Sequence, residues 1–180
     1  RNGIRQLFVA IPQNNEGFQE INTYLTPFLR NKTSIEGGVI QIPAVAPDFI
    51  NVNVVYPYEK GKEYKLRANE YIGISISDLE YIRIKNVDTA KAVILQTVTF
   101  QDKKDFNTHR LLRAIDKNLL LSKLPISEEA CPKDKMLSLV ELLELFKDYP
   151  SMIENTKTVL KSTIDFDFSE GAEPQNQKFY

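Results

Sequence analysis

The sequence predicts an α+β fold with an antiparallel β-sandwich or barrel body, residues 5–100, followed by a mainly helical C-terminal part. Short apolar and β-branched runs separated by tight polar turns fill residues 39–100, which is typical of strands. No helix-length segment separates these runs, as the crossovers of a parallel sheet would require. After Gln101 the apolar residues recur at helical spacing instead.

The length of 180 residues fits one ordinary domain with a single core. Within it we distinguish a β-rich body with one inserted helix, residues 1–106, and a helical segment that ends in a final strand packed on the body, residues 107–168. Residues 169–180 are expected to form an extended tail.

Six or seven strands are predicted in the body. In residues 49–57, Ile50, Val52 and Val54 alternate with asparagines, which indicates one buried and one wet face. Gly61 lies between charged residues and marks the tip of a hairpin. The predicted strands are 5–11, 39–45, 49–57, 63–68, 71–76, 81–87 and 91–100.

Four segments have the apolar spacing of helices: 16–29, 107–124, 135–149 and 150–162. Pro27 should end or kink the first helix. Asn107 or Thr108 can cap the second. Ser151 and Glu154 have the spacing of a capping box for the fourth.

The predicted helix 135–149 has a wider apolar arc than one buried face needs, because polar residues recur only at every third position. Such an excess is buried within the domain or against another subunit. The predicted interface residues are Leu139, Val140, Leu142, Leu143 and Phe146, together with Phe179 and Tyr180 of the tail.

Composition excludes several classes of protein. With 23 basic and 24 acidic residues, the chain has no overall field that would attract nucleic acid. Cys131 is the single cysteine, so no internal disulfide can form and cytosolic synthesis is expected. No run reaches the roughly 20 apolar residues of a transmembrane helix.

The segment 165–171 resembles the start of a calcium-binding loop, since Asp165 and Asp167 are two residues apart. An EF-hand loop needs glycine at its sixth position and a carboxylate at its twelfth, where this chain has Glu170 and Asn176. We therefore predict a strand with one solvated face here, with a looser metal or partner contact as the alternative.

Reactive side chains are scarce. His109 is the only histidine, and no Ser, Cys or Asp pattern accompanies it. A single cysteine and a single histidine cannot supply a structural zinc site of the usual ligands. No catalytic, cofactor-binding or metal-binding residue is predicted, and the chain is not expected to be an enzyme. A hydrolase with paired carboxylates is the least supported hypothesis.

Five tyrosines cluster near the predicted hairpin turns and form an alternative ligand surface: Tyr56, Tyr58, Tyr64, Tyr71 and Tyr81. Tyrosine is enriched at recognition surfaces because its ring is apolar and its hydroxyl is polar. It is also a good strand former, which is the simpler explanation of the same pattern.

The strand pattern of residues 70–100 resembles that of the β-sandwich proteins of virus particles and phage tails. The resemblance implies a jelly-roll-like virion component. The first functional hypothesis is a structural subunit of a homo-oligomeric assembly, with the tail 169–180 engaging neighbouring copies or other structural proteins. The second is a module that recognises a glycan or a peptide through its tyrosine-bearing turns.

Overall fold

The computed structural model describes residues 6–31 and 43–163, and these residues form one open mixed sheet with helices on both faces. The strands are β1 Val9–Pro12, β2 Val52–Pro57, β3 Glu70–Ile74 and β4 Ala92–Ile94. The helices are α1 Asn15–Asn31, α2 Leu79–Lys85, α3 Lys103–Asp116, α4 Leu139–Leu145 and α5 Pro150–Lys161. Short 3₁₀ turns lie at Leu121–Lys123, Ile126–Glu128 and Pro132–Asp134.

The strands follow the order of the chain, β1-β2-β3-β4. Only β1 and β2 are antiparallel, whereas β2 with β3 and β3 with β4 are parallel. The α+β class is therefore confirmed, but a purely antiparallel body was wrong. A sandwich or barrel over residues 5–100 is not confirmed, since the described part of that range contains a single open sheet.

The parallel pairing of β3 with β4 follows from α2, a crossover helix that was not predicted, whereas the loop 58–69 connects the parallel strands β2 and β3. The predicted strand 81–87 is helical up to Lys85. Ile82 is buried, whereas Ile84 is 71% exposed. Two residues on one face of a strand lie on different sides of a helix, which explains this difference.

Other predicted strands also differ from those in the structure. Residues 63–68 form a loop, and only Ala92–Ile94 of the predicted strand 91–100 is extended in the sheet. Most of the predicted strand 39–45 lies outside the described residues. β2 is buried on both faces rather than on one. The buried Asn53 side chain is hydrogen-bonded there: it accepts from the Gln13 amide at 2.8 Å and donates to the Ser162 hydroxyl at 2.8 Å.

The core has one layer on each side of the sheet. On one face, Val54, Tyr56 and neighbouring apolar residues pack against α1. Further along this face, Ile74 packs with Ile82 of α2. On the opposite face, Val55 and Val93 pack against Val159 of α5.

Helix boundaries differ from the predicted ones. Pro27 does not end α1; it is exposed, so water can bind the carbonyl that the proline ring leaves unpaired. α3 begins earlier than predicted, because Asp102 caps it by accepting from the Asp105 N–H at 2.9 Å. The capping box forms at Ser138 of α4, not at Ser151, since α5 already begins at Pro150.

α1 lies very close to the chain just before β2. A Cβ atom on Gly17 would lie only 2.0 Å from the carbonyl oxygen of Asn51. The Glu20 carboxylate accepts from the N–H groups of Ile50 at 2.9 Å and Asn51 at 3.2 Å, and from the Asn51 amide at 2.9 Å. Asn51 thus ties the first turns of α1 to the sheet.

A buried carboxylate fixes the chain that enters β3. Glu70 is 2% exposed and accepts from the Tyr56 hydroxyl at 2.9 Å and from the Arg67 N–H at 2.8 Å. The Arg67 guanidinium lies 3.3 Å from the same carboxylate and also donates to the carbonyls of Ala46 and Pro47. This network holds the end of the β2–β3 loop in place.

Side chains of α5 bond to the outer edge of β4. Thr156 accepts from the Ile94 N–H at 2.9 Å. Asn155 donates to the carbonyls of Ala90 and Ala92 at 2.9 and 3.0 Å. The backbone groups of this edge strand are thereby covered by the protein itself.

Candidate functional site

The structure places the predicted interface residues of α4 at three levels of exposure. Leu139 and Val140 of α4 are 69% and 77% exposed, and Leu142 and Leu143 are half-buried. Phe146 is completely buried, in the same cluster as Ile82 and Met152. Its assignment to an interface was wrong, because Phe146 fills the core of its own molecule. The predicted tail residues Phe179 and Tyr180, like the acidic segment 165–171, lie outside the described residues.

A larger exposed apolar surface lies on α3 and the turns that follow it. The sequence predicted this helix from its apolar spacing, and in the structure Ala114 is the buried residue of α3. We call these side chains the α3 apolar surface: Leu111, Leu112, Ile115, Leu119, Leu120, Leu121 and Ile126, with exposures between 38% and 87%. Seven large apolar side chains exposed within one stretch of chain are more than the singly scattered ones that are normal on a surface, and such a concentration marks an interaction surface.

The two arginines of α3 beside this surface are paired within the chain. Arg110 pairs with Glu129 at 2.6 Å. Arg113 pairs with Asp116 at 2.8 Å and also with Glu128. These ion pairs connect α3 to the second 3₁₀ turn, whereas the exposed Lys117 and Lys123 lie among the apolar residues along the chain.

The five predicted tyrosines do not form one surface. Tyr58, Tyr64 and Tyr81 line a single cavity of about 570 Å³, which we call the tyrosine pocket. Tyr56 is 7% exposed and belongs to the core beside Glu70, and Tyr71 packs on the other face of the sheet. Including Tyr56 and Tyr71 was therefore wrong: Tyr56 is buried in the core, and Tyr71 lies on the face opposite to the pocket-lining Ile72.

The tyrosine pocket is built from three parts of the chain. The β2–β3 loop forms one wall and α2 with the α2–β4 loop forms the other, while Ile72 of β3 supplies apolar surface between them. Leu66, Val87 and Ala90 add further apolar lining. A volume of this size with mainly apolar walls and a few polar groups is typical of small-molecule sites.

Tyr64 holds the loop wall in shape. Its hydroxyl accepts from the Glu59 N–H at 2.8 Å and donates to the Pro57 carbonyl at 3.0 Å. Gly61 has a φ of 76°, which a glycine adopts without strain at the tip of this loop. The hydroxyl of Tyr64 is thus structural, and its ring is the part available to a ligand.

Tyr58 and Tyr81 form an aromatic pair, with ring centroids 6.3 Å apart and planes tilted by 48°. The Lys60 ammonium lies 5.0 Å from the centre of the Tyr81 ring. Burial raises the pKa of Tyr58, and the nearby Tyr81 and Asp78 raise it further. The Tyr58 hydroxyl therefore keeps its proton at neutral pH and can donate a hydrogen bond.

Lysines surround the pocket, although none was predicted as part of the tyrosine surface. Lys62 pairs with Glu59 at 2.9 Å. Lys91 donates to backbone carbonyls of the β2–β3 loop. Within residues 6–31 and 43–163, neither Lys60 nor Lys85 has a carboxylate partner. The sequence could have connected these two lysines with the tyrosines, because Lys60 lies two residues after Tyr58 and Lys85 lies four residues after Tyr81.

Two carboxylates also line the pocket. Asp88 accepts from the Ala90 N–H at 2.9 Å, which closes the turn before β4, and Glu63 lies on the loop wall. The lining thus holds two carboxylates against three lysines, Lys62, Lys85 and Lys91, which is a positive excess of one. Asp78, near Tyr58, lies outside the lining and accepts from the Ser75 hydroxyl.

The single cysteine and the single histidine both lie within the described residues. Cys131 is exposed, and His109 lies on α3. No cluster of three or more His, Cys, Asp or Glu side chains suited to a metal ion occurs among the described residues. In the same part of the chain, none of the helices has the length and apolar character needed to cross a membrane. Comparison with family models, curated proteins and solved structures found no match.

Proposed function

We propose that this chain is a structural subunit that associates with copies of itself. The observation that carries the proposal is the α3 apolar surface, next in the chain to the exposed Leu139 and Val140 of α4. The work of such a subunit is burial of apolar surface, so it needs no bond chemistry.

A second copy of the chain suits the apolar character of this surface. A standard interface takes about 800 Å² from each partner, and seven large apolar side chains, each at least 38% exposed, can supply much of the apolar part of that area. A symmetric contact places the same patch on both subunits, and an apolar patch is complementary to itself. A helix whose apolar stripe faces water also gains little stability from its own domain, which favours covering it.

The test is the mass in solution, measured by light scattering over a concentration series. We expect the unmodified chain to form a defined oligomer and Ile115→Lys to dissociate it, because the substitution places a charge in the α3 apolar surface. Ile50→Lys is the matched control, since Ile50 is 81% exposed and lies beside α1. A monomer at every concentration, or equal dissociation by both variants, would refute the proposal.

Three parts of the prediction go beyond self-association through the α3 apolar surface. Deletion of residues 169–180 should weaken the oligomer if the tail engages a neighbouring copy. The role in a virion or phage particle stays a prediction, since it depended on a sandwich that is not confirmed. Association with other structural proteins likewise stays a prediction.

A second function is supported by the tyrosine pocket. Three of the five tyrosines that the sequence singled out meet in one cavity, which favours a module that binds a glycan or a peptide. Tyr81→Ala should weaken such binding, because it removes one ring of the aromatic pair. Tyr71→Phe is the control, since Tyr71 lies on the opposite face of the sheet.

A further inference from the structure

We propose that the tyrosine pocket binds an acidic saccharide with about one carboxylate per ring. This inference rests on the recognition function described above and names its ligand class. It follows from three features of the pocket: its aromatic walls, its two hydroxyl groups and its lysines.

The aromatic walls suit a sugar ring. The C–H face of a pyranose is apolar and packs on the face of an aromatic ring, while its hydroxyl groups need polar partners at the edge. Tyr58 and Tyr81 offer both, because their rings lie side by side and, among the described residues, no protein group is hydrogen-bonded to either hydroxyl. An extended peptide would need a strand edge or a long groove instead.

The lysines favour a negative charge on that sugar. Lys60 and Lys85 have no carboxylate partner in the described part of the chain. The Lys60 ammonium lies over the Tyr81 ring, and Lys85, one helical turn after Tyr81 on α2, lines the pocket. An ammonium group binds a carboxylate through a charge-assisted hydrogen bond, which is stronger than a neutral one. Glu63 and Asp88 limit the positive excess to about one charge, so a singly charged ring fits better than a highly sulfated one.

The experiment compares two probes of the same shape: a trimer of galacturonate and its methyl ester, which lacks the negative charges. Binding is followed by shifts of backbone amide NMR signals during titration. We expect the acidic trimer to shift signals of residues 58–66 and 81–91. The ester should bind about tenfold more weakly, because it loses the charge-assisted bonds.

Variants locate the interaction. Lys85→Gln should reduce affinity for the acid about tenfold and leave affinity for the ester unchanged, whereas Tyr81→Ala should weaken both. Lys157→Gln is the matched control, since Lys157 lies on α5, which covers the other face of the sheet. Inorganic sulfate at equal charge should not reproduce the shifts.

Each outcome decides a separate point. Equal binding of acid and ester at the pocket would refute the acidic class and leave the recognition function standing. Shifts by sulfate alone would refute the saccharide. If no probe, including a panel of neutral glycans and peptides, shifts the pocket signals, both the inference and the recognition function fail.

Discussion

The substitution Gly17→Ala gives the sharpest test of how α1 is attached to the sheet. On helix propensity alone, replacing glycine by alanine inside a helix should stabilise the protein by about 1 kcal/mol. The structure predicts the opposite sign, because the new Cβ atom would lie 2.0 Å from the Asn51 carbonyl oxygen. That oxygen belongs to backbone and cannot rotate away as a side chain could.

The magnitude follows from what must move. Restoring an ordinary contact requires a shift of more than ~1 Å, and overpacking of this kind costs about 1–3 kcal/mol. The same shift weakens the bonds from the Gln13 N–H to Asn51 at 2.9 Å and from Asn51 to Glu20, each worth about 1 kcal/mol. We expect a net loss of about 2–3 kcal/mol and a Tm lower by roughly 5–10 °C.

Urea unfolding followed by far-ultraviolet circular dichroism measures this loss, a suitable signal for a chain without tryptophan. Asn22→Ala is the matched control on the same helix, because Asn22 is exposed and the substitution should be neutral or slightly stabilising. An unchanged or raised unfolding midpoint for Gly17→Ala would show that the close approach of α1 does not constrain this position.

Three further predictions concern buried or bridging polar groups. Desolvation tends to raise the pKa of Glu20, but hydrogen bonds from the Asn51 side chain and neighbouring backbone N–H groups outweigh it and lower the pKa below its ordinary value. Glu20→Gln should therefore lower the urea midpoint at pH 7, and the difference from the unmodified chain should shrink as the pH falls through the folded-state pKa. A difference that does not depend on pH would contradict this explanation. Glu70→Ala should cost about 3 kcal/mol in urea unfolding, since it leaves the Tyr56 hydroxyl without its acceptor, and a loss below 1 kcal/mol would argue against the network. Thr156→Val should cost about 1–2 kcal/mol and speed amide exchange at Ile94, and unchanged exchange there would contradict the bond.

The sequence predicted the α+β class and the location of α1, whose apolar residues repeat over several turns. It failed at α2, because a helix of seven residues is too short to show its period. The spacing of Ile82 and Ile84 fits a strand as well as a short helix. Only the packing of Ile82 against Ile74 in the structure distinguishes the two.

The candidate sites were predicted in part for a similar reason. Alternation along β3 places Tyr71 opposite to Ile72, so its absence from the tyrosine pocket could have been read from the pattern. The convergence of Tyr58, Tyr64 and Tyr81 could not, because it depends on the crossover through α2. Likewise, apolar spacing identifies the stripe of a helix without showing whether anything covers it.

The bonds from α5 to β4 have a consequence for how the protein is made. Ile94 and Thr156 are 62 positions apart, so β4 leaves the ribosome well before the threonine that accepts its N–H. Until then the growing chain carries a strand whose outer backbone groups can pair with another polypeptide, which is a route to aggregation. Translation that stalls between these two positions should therefore yield chains that depend on chaperones, whereas completed chains close this route themselves.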